Sequence, residues 1–168
     1  MRLRATVTLL VVLLVSGVAP NSLRRTPIGA VSAAGRNGRT GSVHITKNCS
    51  EYFAAHAAAG QFCTITSSTL PEIPAAATTR VYYDQAFGLP PIGAKGFLDS
   101  NVLLYVGPGD WAVGRCTLDG STGTGLCSFT DGTGSLSGFR ARIDVAPLAS
   151  GVDFSWEGTY KFRPDGKL

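Results

Sequence analysis

Four cysteines are the residues of this sequence best suited to metal or covalent chemistry: Cys49, Cys63, Cys116 and Cys127. No two of them form a Cys-x-x-Cys pair, the spacing typical of zinc sites and redox-active dithiols. The two histidines, His44 and His56, are not spaced to complete a zinc site with these cysteines. We therefore expect no metal centre, no thiol nucleophile and no cofactor.

Motifs of other reactions are also missing from the sequence. It contains no Gly-x-Ser-x-Gly nucleophile elbow, no phosphate-binding loop with its lysine and no His-Glu-x-x-His zinc motif. The glycines between Gly132 and Gly138 resemble a dinucleotide fingerprint, but the last glycine comes one place too late and a strand pattern follows. The acids are dispersed, which favours solvated surface carboxylates, although Asp144 and Asp153 could meet at a hairpin end. We therefore predict no catalytic residue.

Aromatic side chains give the most direct indication of a binding site. We predict that Tyr83, Tyr105 and Trp111 bind a small apolar ligand at an open rim of the fold. Trp111 begins a strand directly after a Gly-Pro-Gly turn, which places it at such a rim. The alternative is that Trp111 only caps a hydrophobic core.

The net charge of +4 by itself suggests a nucleic-acid partner, but this charge is unevenly distributed along the chain. Residues 1–34 contain four arginines and no acid, so the rest of the chain carries as many basic as acidic residues. The remaining basic residues are scattered singly, whereas nucleic acids and anionic membranes are bound by clusters of Lys and Arg. We therefore predict neither partner.

The first 34 residues are typical of a secretory leader. Arg2 and Arg4 precede an apolar run over 5–18, which is shorter than the roughly 20 residues of a membrane-spanning helix. We predict a signal peptide and leader over 1–34, a secreted or extracellular protein, and no integral membrane segment after the signal is removed. An uncleaved anchor is the alternative. The cleavage site stays open, because neither Gly17-Val18-Ala19 nor Val31-Ser32-Ala33 satisfies every requirement.

Four cysteines in an exported chain indicate two disulfides, for which three connectivities exist. Cys116 and Cys127 flank a Gly-rich stretch that must fold back, so their sulfurs are expected to face each other across a hairpin. Cys49 and Cys63 bracket a short helix candidate, which a bridge would fasten to the next strand. Local spacing therefore favours Cys49–Cys63 and Cys116–Cys127.

The rest of the pattern predicts one all-β domain over 48–168, preceded by a disordered spacer over 35–47. The one predicted helix runs from Ser50 to Gly60, where a capping serine, several alanines and a terminal glycine follow one another. Beyond it, strand patterns recur about every ten residues with turn signals between them, as in a sandwich or barrel. The almost continuous apolar run over 101–106 predicts a strand buried on both faces.

The last two segments, 138–145 and 152–162, alternate strictly and predict a hairpin. Its buried side is expected to carry four large side chains: Phe139, Ile143, Phe154 and Trp156. We expect Val145 opposite Val152, and Ala141 opposite Trp156.

The segment 127–145, with Gly-Thr-Gly at 132–134, and the aromatic strand over 154–160 resemble the allene oxide cyclase and dirigent β-barrel superfamily. The segment 113–118 is similar to a strand of its bacterial members, and the layout of 62–162 is similar to secreted actinobacterial members. The resemblance implies an antiparallel barrel of about eight strands, often trimeric, whose apolar interior folds a reactive small molecule in some members. The two disulfides and the N-terminal helix depart from that pattern, and no residue matches a cyclase acid.

The sequence is therefore consistent with two functions. The first is a secreted, disulfide-stabilised β-barrel that binds a small apolar ligand or an envelope partner without chemistry. The second is an allene oxide cyclase-like or dirigent-like enzyme that steers a reactive small molecule by shape, which requires no nucleophile motif. An open cavity of about 300 Å³ or more with an inward Asp, Glu or Tyr would favour the enzyme, and a filled interior would favour the first function.

Overall fold

The computed structural model describes residues 38–53, 61–84 and 96–164, and its strands form a closed antiparallel barrel. The eight strands in chain order are β1 Thr40–Asn48, β2 Gln61–Ser68, β3 Arg80–Tyr83, β4 Phe97–Gly107, β5 Asp110–Asp119, β6 Gly125–Gly132, β7 Phe139–Pro147 and β8 Asp153–Phe162. A short helix, α1 (Ser50–Phe53), follows β1, and a single 3-10 turn (Gly134–Leu136) precedes β7. The antiparallel barrel predicted from the sequence is confirmed.

Neighbouring strands run in opposite directions, so the barrel has two distinct ends. We call the end at which β1, β3, β5 and β7 finish the upper end, and the opposite end the lower end. Alternate residues of each strand point into the barrel. On β1, for example, Ile45 and Lys47 are buried while His44 is exposed.

Closure of the barrel depends on the pairing of β1 with β8, which runs from Thr40 opposite Lys161 to Asn48 opposite Asp153. On its other side β8 approaches β7 closely at Gly158. A Cβ atom at Gly158 would lie 2.0 Å from the backbone oxygen of Arg142, so only glycine fits there.

Both predicted disulfides are present, and both are buried. Cys116 and Cys127 are register partners on β5 and β6, and their bridge lies inside the barrel. The Cys49–Cys63 bridge joins the residue after β1 to β2. All four cysteines are paired.

The disordered spacer predicted over 35–47 is wrong from residue 40 onward, because these residues form β1. Pairing with both β2 and β8 stabilises a segment whose own composition gives little indication of a strand. The domain therefore includes residue 40 and does not begin at residue 48. Residues 35–37 lie outside the described residues.

The helix predicted over 50–60 is not supported as an element of that length. The structure shows α1 over Ser50–Phe53, and residues 54–60, which include His56, lie outside the described residues. The leader predicted over 1–34 lies outside them too and stays a prediction. No helix among the described residues is both long enough and apolar enough to span a membrane.

The final hairpin has the predicted faces but a different register. Phe139, Ile143, Phe154 and Trp156 are buried as predicted. However, Val145 lies opposite Trp156 and Ala141 opposite Tyr160, four residues from the expected pairing. A shift by an even number of residues leaves every side chain on the same face, so alternation alone does not distinguish the two registers.

Strand β4 is buried on one face, not on both as predicted. Val102 and Leu104 point inward and are buried, whereas Leu103 and Tyr105 between them are half-buried on the outer face. A continuous apolar run therefore does not distinguish a strand buried on both faces from one whose outer residues are only partly covered.

Replacing Trp156 by alanine should lower the free energy of unfolding by about 3–5 kcal/mol, because the side chain is fully buried. The matched control, Lys161→Ala, changes an exposed residue of the same strand and should cost less than about 0.5 kcal/mol. Urea unfolding with the disulfides intact measures both values. Equal unfolding midpoints would show that the inner and outer faces of β8 are assigned wrongly.

Candidate functional site

Aromatic side chains pack the barrel from Trp156 down to the lower end. The ring centroids of Phe129 and Trp156 are 5.6 Å apart, and those of Phe139 and Phe162 are 5.3 Å apart. Leu136, between β6 and β7, is fully buried at the same end. The space relevant to a ligand therefore lies at the upper end.

The upper part of the barrel encloses a cavity of about 30 Å³. One buried water needs about 10–15 Å³, so this cavity has room for two or three water-sized groups. Its walls combine the two disulfides with apolar side chains that include Leu98, Val145 and Phe154. Lys47, Tyr52 and Tyr83 are the polar members of the wall.

Lys47 is the only buried cation among the described residues, with 3% of its surface exposed. It occupies the inward position of β1 that follows Ile45 by two residues, so the alternation of the strand points it into the barrel. Its cross-strand partners are Ile65 on β2 and Phe154 on β8. The register between β1 and β2 shifts next to Lys47, and bulges of this kind redirect side chains near functional sites.

The Lys47 amine is surrounded by aromatic rings and one phenol. Its Nζ lies 4.2 Å from the ring centroid of Trp156 and 5.9 Å from that of Phe154. It donates a hydrogen bond of 2.5 Å to Tyr83 Oη. Among the described residues Lys47 forms no ion pair, and no aspartate or glutamate is buried. The amine therefore has no counterion in this part of the chain.

Burial lowers the pKa of Lys47 well below its usual value, because a buried ammonium loses its hydration without gaining a counterion. Burial also raises the pKa of Tyr83, with a smaller contribution from the nearby Tyr52. The pKa of Tyr52 itself is raised to about 12 by its burial. Both phenols thus keep their protons at neutral pH, and the uncharged form of the amine is more accessible than in an exposed lysine. The site can offer a lone pair from nitrogen and a proton from oxygen.

The acids near the upper end lie outside the cavity. Asp84 is exposed and accepts hydrogen bonds from Ser100 Oγ at 2.7 Å and Asn101 Nδ2 at 2.6 Å, which hold the pKa of its carboxyl group below the usual value. Asp144 and Asp153, the pair considered from the sequence, are not strand partners. Asp144 lies opposite Glu157. Asp153 lies opposite Asn48, whose Nδ2 donates a hydrogen bond to Asp153 Oδ1 at 2.7 Å.

No group of three His, Cys, Asp or Glu side chains in the described part of the chain is placed to hold a metal ion. His44 is exposed on β1 and hydrogen-bonds Glu157 on the neighbouring strand. This histidine therefore forms a cross-strand contact on the outer surface.

The structure does not bring together the three residues predicted to bind a ligand. Tyr83 lines the cavity at the upper end. Tyr105 and Trp111 are strand partners on the outer face, since their neighbours Leu104 and Ala112 point inward. Ligand binding by Tyr105 and Trp111 stays a prediction, and it would take place outside the barrel.

Lys47 is the candidate residue that the sequence analysis missed. The signal that could have found it is the alternation of Val43 and Ile45 with polar residues, which continues at Lys47. With a lysine at the third inward position, the sequence pattern resembles that of a segment exposed to solvent on both faces. The sequence pattern over 40–47 is therefore typical of a polar spacer.

Comparison of the chain with protein-family models, with curated proteins and with solved structures finds no match. The resemblance to the allene oxide cyclase and dirigent superfamily, and the trimer that it implies, stay predictions.

Replacing Lys47 by methionine should change how stability depends on pH. Because the pKa of Lys47 is lowered on folding, the unfolded chain binds more protons than the folded one between that pKa and 10.5, so wild-type stability rises with pH across this range. The variant lacks this contribution. The stability of the variant relative to the wild type should therefore fall as pH rises through this range, by up to about 1.4 kcal/mol per pH unit.

Urea unfolding at several pH values measures this difference. Leu98→Met is the matched control, because it places the same side chain on the cavity wall without removing a titratable group. A difference between Lys47→Met and wild type that stays constant with pH would mean that Lys47 keeps its ordinary pKa in the folded barrel.

Proposed function

We propose that this protein works outside the cytoplasm as a disulfide-stabilised β-barrel that binds a small, mostly apolar molecule with one polar atom. The ligand occupies the upper cavity, and its polar atom meets Lys47 and Tyr83. The observation that carries this proposal is the buried amine on the wall of an apolar cavity, without a counterion among the described residues. Such a group destabilises the fold, and perturbed titratable groups concentrate at functional sites.

An extracellular location is supported by the cysteine chemistry. All four cysteines form buried disulfides, and such bridges persist in oxidising compartments. The leader predicted over 1–34 supports the same location.

The size of the cavity favours binding over the enzyme alternative. A cyclase-like or dirigent-like enzyme has to hold a substrate in a pocket of about 300 Å³ or more, whereas this cavity measures about 30 Å³. Tyr83 supplies one inward acidic group of the kind such an enzyme needs, so the chemistry alone does not decide between them. The volume restricts the ligand to about two or three non-hydrogen atoms.

Ethanol is a suitable probe, since its three non-hydrogen atoms match this volume and it carries one hydroxyl group. A ligand of three non-hydrogen atoms gains at most about 4.5 kcal/mol, so its dissociation constant should be about 0.5 mM or weaker. Titration followed by two-dimensional amide NMR should show saturable shifts near Lys47, Tyr83 and Phe154. Tyr83→Phe should weaken binding, because it removes the hydroxyl group that faces the cavity. Tyr82→Phe removes a hydroxyl group on the opposite face of the same strand and should leave binding unchanged.

Two results would contradict the proposal: no saturable shifts in the wild type, or equal weakening by both tyrosine variants. The function would then be the binding of an envelope partner by the outer surface of the barrel. On that surface Arg140 lies directly opposite Lys161, with Arg142 beside them, and none of the three forms an ion pair within the described residues. This cluster would be the first place to look for an anionic partner.

A further inference from the structure

The Lys47 amine differs from an ordinary surface lysine in three respects that matter for covalent chemistry. It is buried, it has no carboxylate partner in the described part of the chain, and it lies on the wall of a cavity. An ammonium ion has no lone pair and cannot attack carbon, whereas a neutral amine can. The lowered pKa of Lys47 therefore supports the presence of a nucleophile at this position.

The second component is a proton donor at the same place. Tyr83 Oη lies 2.5 Å from Lys47 Nζ, and burial keeps the phenol protonated by raising its pKa. The ring of Tyr52 packs against that of Tyr83 with centroids 4.9 Å apart, and so contributes to holding the phenol in place. Tyr52 and Tyr83 are the titratable groups of the described residues that share the cavity wall with Lys47.

We infer that the upper cavity captures short aliphatic aldehydes as an imine on Lys47, with Tyr83 as the proton donor. This inference rests on the proposed ligand-binding function and names its ligand class. The Lys47 nitrogen attacks the carbonyl carbon, and a proton passes from nitrogen to oxygen to give a carbinolamine. Tyr83 donates a proton to the hydroxyl group, the C–O bond breaks and water leaves. The nitrogen loses its last proton to the phenolate, which restores Tyr83 and leaves a neutral C=N bond.

The shape and polarity of the cavity select this class of compound. An aldehyde of two carbons is mostly apolar and has one acceptor oxygen, which matches walls formed by Leu98, Val145 and the disulfides around one amine. A volume of about 30 Å³ excludes long chains and rings. Carboxylate ligands would have to bring a charge into an apolar interior, which is unfavourable.

Acetaldehyde with sodium cyanoborohydride tests the inference on the intact, disulfide-bonded protein near neutral pH. The hydride reduces the imine carbon and leaves an ethyl group on nitrogen, which peptide mapping by mass spectrometry locates. Since each unit by which a pKa is lowered gives about ten times more neutral amine at a given pH, Lys47 should be ethylated at least about tenfold faster than the exposed Lys161. Tyr83→Phe should slow the reaction of Lys47 by about tenfold or more, while Tyr82→Phe, on the opposite face of β3, should leave its rate unchanged.

The ethanol titration on the same preparation separates the possible failures. Binding of ethanol without selective ethylation of Lys47 would overturn the imine and leave the proposed function standing. If neither ethanol binding nor selective ethylation is observed, both the proposed function and the imine are overturned. If ethanol binds and also slows the ethylation of Lys47 but not that of Lys161, the aldehyde is captured in the cavity. Equal rates at Lys47 and Lys161 would overturn the inference, because they would show ordinary surface reactivity.

Discussion

The rest of the structure depends on the pairing of β1 with β8, because this contact turns an eight-stranded sheet into a closed barrel. Closure removes the free sheet edges and gives the interior a fixed volume that inward side chains must fill. Trp156 and the rings below it fill the lower part, and Gly158 allows the close approach of β7 and β8. The same closure forces every second residue of β1 inward and thereby buries Lys47.

A buried amine makes the upper part of the barrel less stable than a fully apolar core would be. Two features offset that cost. The aromatic rings and the phenol of Tyr83 surround the amine at short distances. Both disulfides lie in the same wall, and each closes a loop worth about 3 kcal/mol in chain entropy. Covalent cross-links thus stabilise the part of the barrel in which packing is incomplete, as expected where function is retained at the expense of stability.

Much of the fold followed from local patterns, whereas the candidate site did not. Alternation identified the inward faces of β7 and β8, and the short spacing of the cysteines identified both bridges. Register was missed, because a shift of four residues changes no face. The sequence did not indicate strand β1, because its conformation depends on two distant partner strands. It did not indicate Lys47 as an inward residue, because a lysine at that position is typical of a solvent-exposed segment. Tyr105 and Trp111 lie apart from Tyr83, since the barrel separates its ends and faces in a way that chain order does not reveal.

The ionisation of Lys47 decides whether the barrel holds a chemically available amine, and NMR measures it directly. Selective ¹³C labelling of lysine side chains, with the Lys47 signal assigned by its loss in Lys47→Met, allows its Cε shift to be followed as a function of pH. We expect a titration midpoint well below 10.5, and a further change in that midpoint in Tyr83→Phe, where the hydrogen-bond partner is lost. A Lys47 signal that titrates near 10.5 and is unaffected by Tyr83→Phe would contradict this account.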